Sequence, residues 1–191
     1  MGVIFLLTWK AKLLVLGPTR CCLYLVEWQK RGLLHAHILI WLVDKICPKE
    51  FDTLISAELP DPYSFQLLFD MVTTDRIYGP CGDLNCLSPC MIERKCTKRF
   101  PKDFTIDTFT NDDGYPIYRR RNTDTGGQSF TLNIYNAVID NRWVVPYSPL
   151  LNKSFNGHIN VEFCSLVKFI KYICKYVNKD SDMYLKLTTP I

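Results

Sequence analysis

Residues 21–43, CCLYLVEWQKRGLLHAHILIWLV, constrain the fold of this chain more than any other stretch. Two apolar runs, 22–26 and 38–43, flank a polar centre. Lys30-Arg31-Gly32 reads as a reversal, because glycine supplies the backbone freedom that a turn needs. The block is therefore expected to form a β-hairpin. His35 and His37 stand two residues apart on its second strand, so both point to one face. Folding about residues 30–34 sets Gln29 opposite His35 and Glu27 opposite His37. Two imidazoles, a carboxamide and a carboxylate then share a face. That donor set suits Mn²⁺, or Mg²⁺ with substrate oxygens completing the shell. A His-x-His pair on a strand also serves packing, and the spacing alone leaves both roles open. Four polar groups on one face of an otherwise apolar hairpin weigh toward ligation, since buried polar groups need partners.

The nine cysteines of the 191-residue chain are the second constraint. Their number is odd, and Cys81, Cys86, Cys90 and Cys96 lie close together, which favours zinc over a disulfide framework and a reducing compartment over an oxidising one. Four thiolates at this spacing can hold one tetrahedral Zn²⁺ in a structural role; the alternative is a metal-free, weakened module. Residues 78–104 are accordingly read as an irregular, metal-held insertion.

Along the rest of the chain, residues 48–72 are weakly helical and bounded by proline. A turn is expected at 111–114, a mobile loop at Gly126-Gly127, and strands at 130–135 and 142–146. Residues 161–178 carry a helical period. At about 100° per residue, Phe163, Leu166, Val167, Ile170, Ile173, Cys174 and Val177 share one face. Tyr172 and Tyr176 lie one turn apart on another. Lys168, Lys171, Lys175 and Lys179 form a third stripe. Residues 1–9 are apolar but lack a basic leader and a small-residue cleavage site. Lys10 and Lys12 end the run well short of a membrane span. Residues 1–20 are left unplaced, and residues 21–191 are read as the domain.

The string EWQKRGLLHAHILIWL at 27–42 resembles the hallmark block of the Helitron-like replication-initiator domain, one of the HUH endonucleases named for His-hydrophobic-His. Trp28 stands where that family usually has Phe, and Leu34 where it usually has Pro; neither is a ligand position. The resemblance continues through SAELPDP at 56–62, GPCG at 79–82, PCM at 89–91, CTKRFPK at 96–102, DGYP at 113–116, YRRR at 118–121, WVVPY at 143–147 and HINVE at 158–162. It covers residues 22–180 and includes the family's two-tyrosine motif as KYICKY at 171–176.

The resemblance implies an α/β (α+β) fold, with a central antiparallel sheet, flanking helices and a small Cys-rich zinc module. It implies a metal-dependent single-stranded DNA endonuclease and strand transferase of a rolling-circle transposon. Tyr172 and Tyr176 would be the nucleophiles, and Lys175 would assist them by holding phosphate or helping a phenol to ionise. Mg²⁺ or Mn²⁺ would sit at His35, His37, Gln29 and Glu27. The family usually carries a histidine where this chain has Tyr78, with cysteines matching Cys81, Cys90 and Cys96. Cys86 falls where proline is common, and is expected to replace the missing histidine.

The net charge of +4 permits a nucleic-acid partner without demanding one. Arg119, Arg120, Arg121, Lys168, Lys171 and Lys179 are expected to meet phosphates. Trp28, Tyr115 and Tyr118 are expected to stack on unpaired bases. His158 is expected to be structural. No Walker motif is present, so strand separation is expected from a helicase domain outside this chain. A nuclear setting and no membrane partner complete the expectation. The competing reading is a catalytically inactive, transposon-derived fragment that binds DNA or zinc.

Overall fold

The computed structural model describes residues 3–6, 18–28, 34–44, 46, 48–112, 114–155, 159–164 and 184–188. In chain order the strands and α-helices are β1 (Val3–Leu6), β2 (Thr19–Trp28), β3 (Leu34–Leu42), α1 (Pro48–Leu54), α2 (Gln66–Asp75), β4 (Met91–Ile92), β5 (Lys95–Cys96), β6 (Phe109–Thr110), β7 (Pro116–Ile117), β8 (Ser129–Leu132), β9 (Ala137–Asp140), α3 (Pro149–Phe155), β10 (Val161–Cys164) and β11 (Tyr184–Thr188). The chain is thus mixed α/β, with small antiparallel sheets and short helices, and it divides into two compact units. Among the described residues no helix is long and apolar enough to cross a membrane.

The first unit comprises residues 1–55, 109–117 and 147–191. The expected hairpin forms here as β2 and β3, and it belongs to a five-stranded sheet of order β10-β1-β3-β2-β11 with antiparallel neighbours throughout. Strand β3 is the middle strand. Its register differs from the one expected. Glu27 pairs with His35 and Leu25 with His37, so the ladder is shifted by two residues. A shift of two keeps the pleat in phase, whereas a shift of one would have exchanged the faces.

Two further segments join this sheet. Within residues 1–20, unplaced from the sequence, Val3–Leu6 pairs with both β3 and β10, and Thr19 and Arg20 open β2. Residues 161–164 are strand, not the start of a helix. Val161 and Phe163 are β-branched and aromatic, and the free edge of β1 gives their backbone groups partners. Helix α1 docks through Phe51, whose ring lies 4.4 Å from that of Phe163. Leu39, Ile40, Ile55, Tyr147, Leu151, Ile159 and Val161 are buried in this unit. Burial of each aliphatic side chain contributes about 1.5–3 kcal/mol. The turn at 111–114 is as expected: the Gly114 N–H donates to the Asn111 carbonyl at 2.8 Å and links β6 to β7.

The second unit comprises residues 56–108 and 118–146. Helix α2 buries Leu68, Met71 and Val72, the i, i+3, i+4 stripe of an amphipathic helix. The expected strand at 130–135 ends at Leu132 and pairs with β9, and the one expected at residues 142–146 does not form. Those residues fail as a strand because Asp140 caps a 3₁₀ turn at Asn141–Trp143, its carboxylate accepting from the Arg142 N–H at 2.9 Å. Gly126 and Gly127 close a hydrogen-bonded turn, not a loose loop. The Gly127 N–H donates to the Asn122 carbonyl at 2.7 Å, and a Cβ on Gly127 would overlap the Arg121 carbonyl.

A charged network organises this unit. Arg120 is 5% exposed, and its Nη1 donates to the carbonyls of Ala57, Asn141 and Val144. Burial pulls its pKa down to about 10, against the favourable charge of Glu58. Glu58 in turn accepts from the Arg121 backbone N–H at 2.8 Å, from Arg121 Nη2 at 2.7 Å and from Arg119 Nε at 3.2 Å. Asn141 completes the frame: its Oδ1 accepts from the Leu59 N–H at 2.7 Å and its Nδ2 donates to the Arg121 carbonyl at 2.8 Å.

Replacing Arg120 by Met keeps the bulk but removes a charged donor from three buried carbonyls. Urea denaturation is expected to show a loss of about 3 kcal/mol or more. Glu58 supplies a pH test. Burial acts to raise its pKa, but the Arg121 hydrogen bonds and the charges of Arg119 and Arg121 outweigh it, and the pKa falls below 4.5. A carboxylate with a depressed folded pKa stabilises the fold above its unfolded value, and that stability is lost as pH drops through the folded one. Between pH 7 and pH 3 the wild type should therefore lose more stability than Glu58→Gln, which starts lower and falls less steeply.

Candidate metal centre

Within the second unit, β4 and β5 pair as Met91–Cys96 and Ile92–Lys95, joined by Glu93 and Arg94. Both linking residues adopt positive φ, 49° and 64°, the pair of left-handed residues that a two-residue hairpin of matching twist requires. This tight hairpin brings Cys90 beside Cys96, and the Thr97 N–H donates to the Cys90 carbonyl at 2.9 Å. Cys81 joins them, 1% exposed and packed with Ile139 and Trp143. Gly79 makes its approach feasible: φ is +97°, and a Cβ there would sit 2.9 Å from the Cys81 nitrogen and 3.0 Å from the Trp143 ring.

The three sulfurs lie within 4.8 Å of one another. Zinc–sulfur bonds of about 2.3 Å in a tetrahedron place sulfurs about 3.8 Å apart, so the trio needs only a small contraction to ligate. A Cys₃ group of this geometry can hold a metal such as zinc. Cys86, expected as a fourth ligand, lies outside the trio and is exposed. Its loop folds on itself, with the Asn85 N–H bonded to the Gly82 carbonyl at 3.2 Å and the Ser88 N–H to the Asn85 carbonyl at 3.3 Å. Those successive turns leave Cys86 on the solvent side.

Tyr78 instead packs against the cluster that holds Cys81, together with Cys90 and Cys96. Its ring stacks on Phe100 at 4.3 Å, and its N–H donates to the Trp143 carbonyl at 2.9 Å. Tyr78, Cys90, Ser88 and Lys98 also border an open cleft of 490 Å³. The charges of the group are strongly unequal. Burial, and then hydrogen bonds to Cys96 and Cys90, push the Cys81 thiol up to about 12. The Ser88 hydroxyl at 3.3 Å, followed by Tyr78, pulls the Cys90 thiol down to about 7. The hydrogen bond to Cys90 raises the Tyr78 phenol above its ordinary range. Packed thiols resist joint ionisation, and a dication among them would relieve that repulsion.

The other expected site residues are distributed as follows. His35 and His37 lie on β3, with His37 4% exposed and engaged with its neighbours, and Glu27 lies on β2 in register with His35. Gln29, His158, Lys168, Lys171, Tyr172, Lys175, Tyr176 and Lys179 lie outside the described residues. The arginine run is corrected in part. Arg120 is enclosed by backbone carbonyls and offers phosphate no surface, and Arg119 and Arg121 are ion-paired to Glu58 at 3.2 and 2.7 Å. Tyr118 is buried, which removes it from the stacking surface, whereas Tyr115 is exposed.

The sequence reading missed Tyr78 as a neighbour of the thiols and Glu58 as the partner of the arginines. The signal for Tyr78 was its place in the cysteine pattern, where the resemblance expects a histidine. Glu58 had none, because residues 61 and 63 positions away in sequence hold it. No family model matches the chain, and no curated protein matches it.

Purified under reducing conditions, the protein is expected to carry close to one equivalent of zinc by elemental analysis. Cys96→Ser should weaken retention at least about tenfold in a chelator competition, since it removes a ligand from the centre.

Proposed function

We propose that this chain is the HUH nuclease domain of a Helitron-type rolling-circle transposase, acting as a metal-dependent single-stranded DNA endonuclease and strand transferase. The observation that carries the reading is the placement of the His35–His37 pair on the middle strand of a five-stranded antiparallel sheet, with the Glu27 backbone in register with His35. An interior strand paired on both edges is a rigid support for metal-binding side chains. The ordered resemblance over residues 22–180 supports the same reading, with helices flanking the sheet and the tyrosines on one of them.

In this reading a divalent Mg²⁺ or Mn²⁺ ion held by His35, His37, Gln29 and Glu27 would supply positive charge to the scissile phosphate. Tyr172 or Tyr176 gives up its phenolic proton, and its oxygen bonds to phosphorus. The bond to the 3′ oxygen breaks, and that oxygen takes a proton to leave a free 3′-hydroxyl. The DNA stays attached as a 5′-phosphotyrosine, which conserves the bond for rejoining. Two tyrosines one helical turn apart would serve two successive transfers. Lys175 holds phosphate or lowers the phenol pKa, and Lys168, Lys171 and Lys179 contact the strand. With Arg120 enclosed and Arg119 and Arg121 engaged by Glu58, the lysines are the better phosphate ligands. The zinc module is structural. Strand separation falls to a helicase domain, and the setting is nuclear.

The second reading, an inactive DNA-binding and zinc-binding fragment, is favoured by one departure: Tyr78 stands where the resemblance expects a histidine. One assay separates the two. Labelled single-stranded DNA is incubated with Mn²⁺, with Mg²⁺ or with chelator, and covalent adducts are resolved on a denaturing gel. Metal-dependent adducts are expected from the wild type and from each single Tyr→Phe variant, and none from Tyr172→Phe/Tyr176→Phe. Adducts persisting in the double variant, or strand binding without any adduct in the wild type, would overturn the nuclease reading.

A further inference from the structure

We infer that the β4–β5 hairpin and the cleft beside it bind a single strand of nucleic acid, with backbone phosphates on Arg94, Lys95, Lys98 and Arg99 and an unpaired base against Tyr135. This surface belongs to the second unit alone, so the assignment is independent of the histidine pair and of strand cleavage.

Charge is the first observation. Residues 91–102 hold five basic side chains against one acidic, Glu93, an excess that equals the net charge of +4 of the whole chain. Arg94, Lys95, Lys98 and Arg99 are exposed, and among the described residues none of these four side chains is ion-paired. The fifth, Lys102, is engaged: its Nζ donates to the Lys98 carbonyl at 2.8 Å and lies 4.9 Å from the centre of the Phe100 ring. Residues 119–121 give the contrast. There Glu58 neutralises two arginines and carbonyls enclose the third, whereas on the hairpin the positive charge faces solvent. Exposed charge of this kind attracts phosphates and gains from the release of their counterions.

The backbone supplies the second observation. Arg94 and Arg99 adopt positive φ, 64° and 56°, where glycine or asparagine would cost less. Packing does not call for a long cation at either place, since both residues are exposed. The cleft is the third. Its 490 Å³ are bordered by Tyr78, Asn85, Ser88, Thr97, Lys98 and Tyr135, a volume within the range of small-ligand sites. Tyr135 is 43% exposed in the β8–β9 turn, its N–H tied to the Leu132 carbonyl at 3.2 Å, and it offers a base a stacking surface. Asn85, Ser88 and Thr97 supply donors and acceptors for a base edge, and Lys98 brings charge to the adjoining phosphate. A duplex keeps its bases stacked, and a membrane surface gains nothing from a polar cleft, so an unpaired strand is the fitting occupant.

The test is fluorescence anisotropy with labelled oligothymidylate over a salt series, without added Mg²⁺ or Mn²⁺, so that cleavage plays no part. For single strands the slope of log affinity against log salt changes by about 0.7 for each phosphate contact. Lys98→Gln/Arg99→Asn is expected to bind at least about fivefold more weakly than wild type, with a slope shallower by about 1.4. Asparagine suits the left-handed backbone at position 99, which preserves the fold. Arg20→Gln/Lys153→Gln removes equal charge elsewhere and should change affinity by less than about twofold. Tyr135→Ala should lose about tenfold with its slope unchanged, because stacking is not ionic. Ultraviolet crosslinking of an iodouracil-substituted strand to the wild type should mark Tyr135. A parallel series with oligouridylate tells the sources apart, the tighter strand naming DNA or RNA. Hairpin and control variants weakened alike would overturn the assignment, as would crosslinks mapping only outside residues 78–98 and 135. So would a wild type that binds no single strand, or one that binds duplex DNA or phosphatidylserine vesicles more tightly.

Discussion

A guanidinium held away from water needs acceptors on several sides, and at Arg120 that demand arranges the second unit. Its Nη1 reaches the carbonyls of Ala57, Asn141 and Val144, drawn from segments far apart in sequence. Val144 then bridges to Ile77, and the Tyr78 N–H bonds to the Trp143 carbonyl. The backbone of Ile77 and Tyr78, which leads into Cys81, is therefore tied through two links to the segment whose carbonyls Arg120 gathers. An uncompensated charge in the same place would cost several kcal/mol. The centre is supported by a polar network as much as by apolar packing.

The two regions that carry chemistry are built on different physical plans. In the first unit, His35 and His37 lie on a strand hydrogen-bonded along both edges, so their backbone positions follow from a long regular ladder. In the second unit, β4 and β5 hold only two residue pairs, and the cysteines are brought together by left-handed residues and an enclosed arginine. A metal bound there would add cross-links among segments that make few regular backbone bonds, the situation in which ligation contributes most to folding.

The arginines at 119–121 illustrate how burial changes the meaning of a charge run. Three consecutive basic residues suggest a phosphate-binding strip, yet alternation along an extended segment sends the middle one inward and the outer two to the other side. Glu58, 6% exposed, lies there and takes both. The run is the internal counter-charge of this unit, and the proposed DNA contacts fall to the lysines of residues 168–179.

Local pattern alone determined the β2–β3 hairpin, the turn at 111–114 and the closeness of Cys90 and Cys96, because each depends on residues near in sequence and on turn chemistry written there. Local pattern also left matters open that distant partners settle. Val161 and Phe163 suit a helix face or a strand equally, and the free edge of β1 decides for strand. Residues 142–146 read as a strand until Asp140 caps a turn before them. Cys86 stands among the other cysteines in sequence, and only the folded loop leaves it on the solvent side, outside the trio. Spacing states which groups can meet across one turn or one pleat. Which buried charge is neutralised, and by what, is a matter of contacts between residues some sixty positions apart, where Glu58 meets Arg119 and Arg121.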